Sequence, residues 1–404
     1  MKARRALGAA VALLALAVPA AGAQQAQRPP AIPGAQAAIV IDARDGEVMF
    51  AKQAGQRRQI ASTTKLMTAL LTLENARPKT VFSAADYVAA PVESQIGLRP
   101  GEQMTVKDLL EALLLESAND AAVTLAEGVS GSREAFVAAM NARAAELGLD
   151  NTSYANPIGF DDPLNYSTAR DLSRLALELM RRPRFARIVD MPVAELDSGA
   201  RPRVIDNRNT LIPAYPFVSG VKTGHTLQAG YVLVGAAVSR AGGKVISVVL
   251  GEPSEPARDA DTLALLRWGL GRFQRVRVID RRRTLARAAI EYRDDEKARL
   301  VPARSAAVTL RDGEEVRRRV DAPKQLEGPL PARARVGSVT VLVDGERVRR
   351  VSLVTAAEVP EAGTLRVLLS EMGVPLTLLF VLVLLLAVVL LAMRLRVRLR
   401  LVKR

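Results

Sequence analysis

Between Leu66 and Leu73 the apolar residues Leu66, Met67, Ala69, Leu70, Leu71 and Leu73 cover nearly every face of a helix. Lys65 is the only charge between Arg58 and Glu74. A helix with no side to turn to water has to lie in the middle of a domain, wrapped by other elements. It also buries Lys65, and a buried amine without a partner or a task is expensive. Ser62 stands three residues earlier, at the head of the same helix. That spacing puts the two side chains on one face, with Cβ atoms about 5–6 Å apart. Burial and nearby positive potential favour the neutral amine, so Lys65 can serve Ser62 as a base. The helix N-terminus would stabilise negative charge developing on the serine oxygen. An N-cap serine followed by a surface lysine is the plainer reading, and the absence of other charges argues against it.

The elements around this helix define the domain. Ala37 to Ala43 and Glu47 to Ala51 read as two strands joined at Asp45-Gly46. Helices are expected on either side of Ser117-Ala-Asn119 between Val106 and Gly128, then from Arg133 to Leu147 and from Thr168 to Met180, with Thr168 as N-cap. Beyond Gly220 the period changes to two. Tyr231 to Ser239 and Lys244 to Leu250 read as an antiparallel pair, and a helix from about Ala260 to Phe273 would lie across them. Strands at both ends with helices between indicate an α+β domain with one central antiparallel sheet. From about Val276 the chain turns to Arg, Val and short strands, with hairpins expected at Asp312-Gly313 and Asp344-Gly345. This is a small all-β domain without a catalytic constellation. The tract Arg281 to Arg283 and the cluster Arg317 to Arg319 read as solvated faces.

Both ends read as membrane addresses. Lys2, Arg4 and Arg5, the apolar run Ala6 to Val18 and the small residues Ala21-Gly-Ala23 form a signal-peptide pattern, with cleavage before Gln24. Val374 to Met393 is 20 residues without a charge, enough to cross about 30 Å of hydrocarbon as a transmembrane helix. The basic tail Arg394, Arg396, Arg398, Arg400, Lys403 and Arg404 would keep the C-terminus cytoplasmic and the body extracytoplasmic. The net charge is +15, and without these nine terminal cations it is +6. No aromatic-interleaved basic patch accompanies it, which argues against a nucleic-acid partner. Cys is absent and His225 is the only His, so disulfides, thiol chemistry and a structural zinc site are excluded, and no metal or cofactor is expected. The expected layout is a signal peptide over 1–23, a linker over 24–35 and a catalytic domain over 36–275. A β-rich stalk over 276–366, a span over 374–393 and a tail over 394–404 follow.

Two further strings follow Ser62-Thr-Thr-Lys65 in order, Ser117-Ala-Asn119 and Lys222-Thr-Gly224. Ser-x-x-Lys alone arises about once or twice by chance in a chain this long. Ser117-Ala-Asn119 alone reads as helix punctuation, and Lys222-Thr-Gly224 as a turn before a strand. Together they supply a nucleophile with its base, a hydroxyl with an amide, and a cationic strand edge. Gly224 keeps that edge open for an extended peptide. The set resembles the penicillin-interacting serine enzymes. The stretches RRQIASTTKLMTALLTLE, SANDAAVTLAEGVSGSREAFVAAMNARAAELGLDNTSYANPIGFDDP, YSTARDLSRLA and VSGVKTGHTLQAGYVLVGAA resemble the D-alanyl-D-alanine carboxypeptidases among the low-molecular-mass penicillin-binding proteins, and NRNTL is similar as well. The likeness covers about residues 36 to 275, and the β domain is similar to that family's C-terminal stalk.

The resemblance implies a β-lactamase/transpeptidase-like domain followed by a small all-β domain. It implies hydrolysis of the terminal D-alanine of peptidoglycan stem pentapeptides, and covalent reaction with β-lactam antibiotics. By position, Ser62 forms the acyl-enzyme, Lys65 is its base, and Ser117 and Asn119 assist proton transfer and substrate placement. Lys222, Thr223 and Gly224 hold the region of the substrate's terminal carboxylate, Arg258 anchors that carboxylate, and His225 shapes the pocket. Ala118, where relatives usually carry Gly, and Leu227-Gln228, in place of a more polar pair, bear on substrate preference. Two alternatives remain open. A class A β-lactamase shares the first and third motifs but needs a glutamate-activated water, and no equivalent stands between Asn151 and Thr168. A non-catalytic β-lactam sensor or wall-binding protein would have no need of three intact motifs.

Overall fold

The computed structural model describes residues 11–12, 28–364, 366–367 and 376–401. The expected signal segment, residues 1–23, lies outside the described residues apart from Val11–Ala12. The chain forms two compact units, one on Gly22–Gln274 with Thr309–Asp312, the other mainly on Arg275–Val308 and Gly313–Arg404.

The first unit is built on a five-stranded antiparallel sheet. Its strands are β1 (Ala37–Asp42), β2 (Val48–Lys52), β3 (Val218–Thr226), β4 (Gly230–Val238) and β5 (Lys244–Glu252), in the order β3-β4-β5-β1-β2. Both faces are covered, so its central strands are apolar at nearly every position. Ile39, Ile41, Val232, Val234, Ile246 and Val248 face one core, and Ala38, Val40, Leu233, Val245 and Val249 face another. The first core is filled by the helices α1 (Lys65–Asn75), α2 (Val106–Glu111), α3 (Asn119–Ser130), α4 (Arg133–Glu146) and α5 (Ala169–Met180). Helix α6 (Glu255–Leu270) closes the second, where Trp268 meets Phe50 edge-on. As expected of an all-round apolar helix, Leu66, Met67, Ala69 and Leu70 of α1 are fully buried. Thr105, Ser132, Thr168 and Ser254 cap α2, α4, α5 and α6 by accepting from the amides of Asp108, Ala135, Asp171 and Ala257.

One helix start differs clearly from expectation. Helix α6 starts at Glu255, five residues ahead of the expected Ala260, because Ser254 caps it and Pro256 and Glu255 occupy its first turn. Arg258 therefore lies on a helix rather than in a loop. The Lys222-Thr-Gly224 string, expected as a cationic strand edge, lies inside β3 at the edge of the sheet.

The second unit carries a β domain ahead of a long helix. Its strands β6 (Ala286–Ile290), β7 (Arg293–Pro302), β8 (Val316–Asp321), β9 (Arg335–Val343) and β10 (Glu346–Thr355) run antiparallel in the order β8-β9-β10-β7-β6. Asp344 and Gly345 (φ 48° and 89°) form the two-residue turn between β9 and β10, as the Asp-Gly pair requires. The hairpin expected at Asp312-Gly313 does not form, since β8 pairs with β9 and Ala306–Arg311 belongs to a different sheet. Helix α7 (Leu376–Leu401) follows, and its stretch Leu378–Arg396 has a mean hydropathy of 3.0 with none of it buried. By length and composition it is the one helix among the described residues able to cross a membrane.

Candidate active site

Ser62 sits on a turn of 3-10 helix, Ala61–Thr64, that runs straight into α1. In that geometry side chains three apart eclipse, a closer alignment than an α-helical turn provides. Lys65 Nζ lies 3.0 Å from Ser62 Oγ and also donates to Asn119 Oδ1 and to the Ile158 carbonyl, both at 2.6 Å. An ammonium would satisfy all three with its three protons. A neutral amine has only two N–H groups and a lone pair. Asn119 Oδ1 and the Ile158 carbonyl can only accept, so the lone pair must face Ser62, the one partner able to donate. The neutral form is within reach: burial, then the Lys222 ammonium, holds Lys65 well below the ordinary amine range, against Glu93 and Asp120.

The second string ends a distorted helix. Helix α2 continues as a π turn, Ala112–Glu116, and Ser117 leaves it in the left-handed region at φ 64°. A β-carbon residue held there is a strained position of the kind found at functional sites. Ser117 Oγ is buried and has no hydrogen-bond partner among the described residues, an open valence that a substrate amide could fill. Asn119 opens α3 and donates from Nδ2 to Glu93 Oε2 at 2.7 Å.

The third string lines the outer edge of the sheet. Lys222 is 1% exposed and donates to the Thr223 carbonyl at 3.1 Å. Burial, then the guanidinium groups of Arg208 and Arg258, push its amine down to about 7, with Glu116 opposing. Three cations acting on one buried place make a site that gains from an incoming carboxylate. Arg208 is exposed, and its Nε reaches Glu116 Oε1 at 3.1 Å. Arg258 is buried, with Nη2 on Glu255 at 2.8 Å and on Asp259 at 2.7 Å. Thr223 is buried beside Lys222, while His225 is exposed and stacks on Tyr231 with ring centroids 4.0 Å apart. Gly224 has a role beyond an open edge. A Cβ there would stand 2.9 Å from the Ser62 nitrogen and 3.1 Å from Ala61 Cβ, so glycine lets the Ser62 turn close on β3.

Sequence alone did not single out Ile158, Gly159, Glu93 or Arg208, although SYANPIG and NRNTL lie within the family-like stretches. Asn156 Oδ1 accepts from the amides of Ile158, Gly159 and Phe160, which turns the Ile158 carbonyl to Lys65. Gly159 has φ 95°, and a Cβ there would collide with the Ala61 carbonyl. Gly159→Ala is expected to destabilise the first unit by roughly 1–3 kcal/mol and to slow labelling by a fluorescent penicillin. Denaturant midpoint and labelling rate check this, and an unchanged midpoint would refute it.

The chain as a whole is similar to known proteins. A family model described as D-alanyl-D-alanine carboxypeptidase matches residues 23–254, and one described as penicillin-binding protein 5, C-terminal domain, matches residues 273–361. The D-alanyl-D-alanine carboxypeptidase DacF of Bacillus subtilis is 30% identical over 348 residues, 84% of this chain and 89% of that one. DacA of Haemophilus influenzae is 32% identical over 374 residues, 88% and 93% of the two chains. Among solved structures, penicillin-binding protein 5 from Haemophilus influenzae aligns with a TM-score of 0.59 and 30% identity, over 83% of this chain and all of that one. The Streptomyces K15 DD-transpeptidase aligns with a TM-score of 0.57 and 33% identity, over 61% of this chain.

Proposed function

This chain belongs to the D-alanyl-D-alanine carboxypeptidase family and is a serine-type carboxypeptidase that binds β-lactams covalently, and we propose that its reaction runs through Ser62 with the assignments that follow. Lys65 takes the Ser62 proton as Oγ attacks the carbonyl carbon of the penultimate D-alanine of a stem pentapeptide. The C–N bond then breaks, and the leaving D-alanine nitrogen receives a proton by way of Ser117. Water next attacks the ester on Ser62, releasing the shortened peptide and returning the proton to the serine. Strand β3, at the sheet edge, pairs with the extended substrate. Lys222, Thr223, Arg208 and Arg258 receive the terminal carboxylate. The observation that carries this reading is the 3.0 Å approach of a fully buried Lys65 to Ser62, with acceptors alone at its other contacts.

The apolar α7 supports anchoring to a membrane by a single pass, with the catalytic unit extracytoplasmic and the Arg-rich end cytoplasmic.

Release of D-alanine from a pentapeptide is the direct test of the reading, and its absence would overturn it. The carboxylate assignment has its own test. Arg258→Ala should slow turnover of a free-acid peptide by roughly 10- to 150-fold, the loss of about 1.5–3 kcal/mol of charge-assisted contact. A peptide masked as the terminal amide should already be poor and lose little more. Equal losses on both would make Arg258 structural, which its two ion pairs would then explain. Arg208→Ala in parallel shows whether the exposed arginine carries the contact instead.

A further inference from the structure

Glu93 stands on the loop 84–102, which the paired strands Val81–Ser83 and Gln103–Thr105 hold at its base. No motif includes it. Its carboxylate is nevertheless fully engaged. Oε1 accepts from the Ala90 amide at 2.9 Å, and Oε2 accepts from the Tyr87 hydroxyl at 2.5 Å and from Asn119 Nδ2 at 2.7 Å. The next residue reinforces the junction, since the Asn119 amide donates to the Ser94 carbonyl at 2.8 Å. Asn119 is thus clamped at its backbone and its side chain by two consecutive loop residues.

We propose that Glu93 is a positioning residue for the catalytic base: it holds the Asn119 carboxamide with its nitrogen outward and its oxygen on Lys65, and so aims the amine at Ser62. This rests on Lys65 being the base. A carboxylate has no proton to give, so only Nδ2 can face Glu93. A flipped Asn119 would set its NH2 against the N–H groups of the Lys65 ammonium, or draw the lone pair of the neutral amine away from Ser62. The same carboxylate places a negative charge one side chain away from the amine. Burial works to raise Glu93, but the bonds from Tyr87, Asn119 and Ala90, with the Lys65 charge, hold it below the usual carboxylate range, so it is ionised at neutral pH. Around Lys65 the charged groups are Lys222, which lowers its pKa, and Glu93 and Asp120, which raise it. Around Glu93 the charged group is Lys65, beside the neutral Tyr87 hydroxyl, and Arg133 lies 5.4 Å from the Tyr87 ring centroid. Glu93 therefore keeps the base correctly placed and moderates how far burial depresses it.

Two substitutions separate these effects. Gln at 93 can still accept from Asn119 and Tyr87, losing only the Ala90 contact and the charge. Without the charge Lys65 gives up its proton more readily, so the acid limb of the acylation rate should move to lower pH, by about one unit. The plateau should stay within about threefold of wild type. Glu93→Ala frees Asn119 to flip and should lower the plateau by about 10- to 100-fold. The readout is the rate of covalent labelling by a fluorescent penicillin from pH 5 to 10 on the full chain. A Glu93→Ala plateau within threefold of wild type would overturn the positioning role, and an E93Q acid limb that coincides with wild type would overturn the effect of the charge, since loss of a merely structural loop contact leaves that limb in place. Lys65→Met measured alongside keeps the two readings apart. If it labels like wild type, the base assignment itself fails. If it is inactive while the E93Q limb does not move, only the charge effect of Glu93 fails.

Discussion

Ser62→Ala is expected to abolish covalent labelling by penicillin and to cut D-alanine release by roughly 10⁴- to 10⁶-fold, as removal of a serine nucleophile does elsewhere. The fold should survive. Ser62 is only part-buried, and the substitution removes one hydrogen-bond partner of Lys65 while Asn119 and Ile158 remain. Thermal stability should therefore change by about 1 kcal/mol or less. Labelling of the variant at the wild-type rate would show that another residue is acylated.

Lys65→Met should move activity and stability in opposite directions. Acylation is expected to fall by about 10²- to 10⁴-fold, the range of a general base. Stability near neutral pH should rise, because a fully buried amine is replaced by an apolar side chain of similar length. The pH dependence carries the same signature. The amine is held below its ordinary value in the fold, so the unfolded chain binds more protons in the window between the two values. Wild-type stability then rises with pH through that window, up to the ordinary lysine range near 10.5. In the Met variant this contribution is gone, and the buried Lys222 contributes what rise remains. A variant less stable than wild type at pH 7 would mean that the three contacts of Lys65 outweigh its desolvation. Enzyme chemistry here is expected to oppose stability at the residue that performs it.

Much of this protein was legible in one dimension. The apolar run Leu66 to Leu73 with a lone lysine demanded a buried helix, and the spacing of three put Ser62 on that lysine whichever helical form the turn adopted. The runs from Tyr231 to Leu250 demanded an antiparallel pair, and Asp344-Gly345 demanded a hairpin turn. Local chemistry decides these features, since propensity, periodicity and positive φ are properties of a few neighbouring residues. The start of α6 was local as well, written in Ser254-Glu255-Pro256, and the weaker apolar signal from Ala260 obscured it.

What the sequence could not determine depends on contacts between distant segments. Asp312-Gly313 has the same local signal as Asp344-Gly345, yet its flanking strands found other partners, because strand pairing is settled by the whole sheet. The open strand edge at Lys222-Thr-Gly224 was expected from its residues, but the strand order that leaves β3 without an outer neighbour in its sheet is a property of the whole sheet. The Ile158 carbonyl on Lys65 bridges 93 positions, the Glu93 contact to Asn119 bridges 26, and nothing in their local composition marks either. The sequence by itself marked Ser62 and Lys65 as the candidate reacting pair, because their spacing along one helix is a local property. Only the tertiary structure decided how the base is aimed and how far its charge is suppressed, because burial and electrostatic fields are set by what the fold brings near.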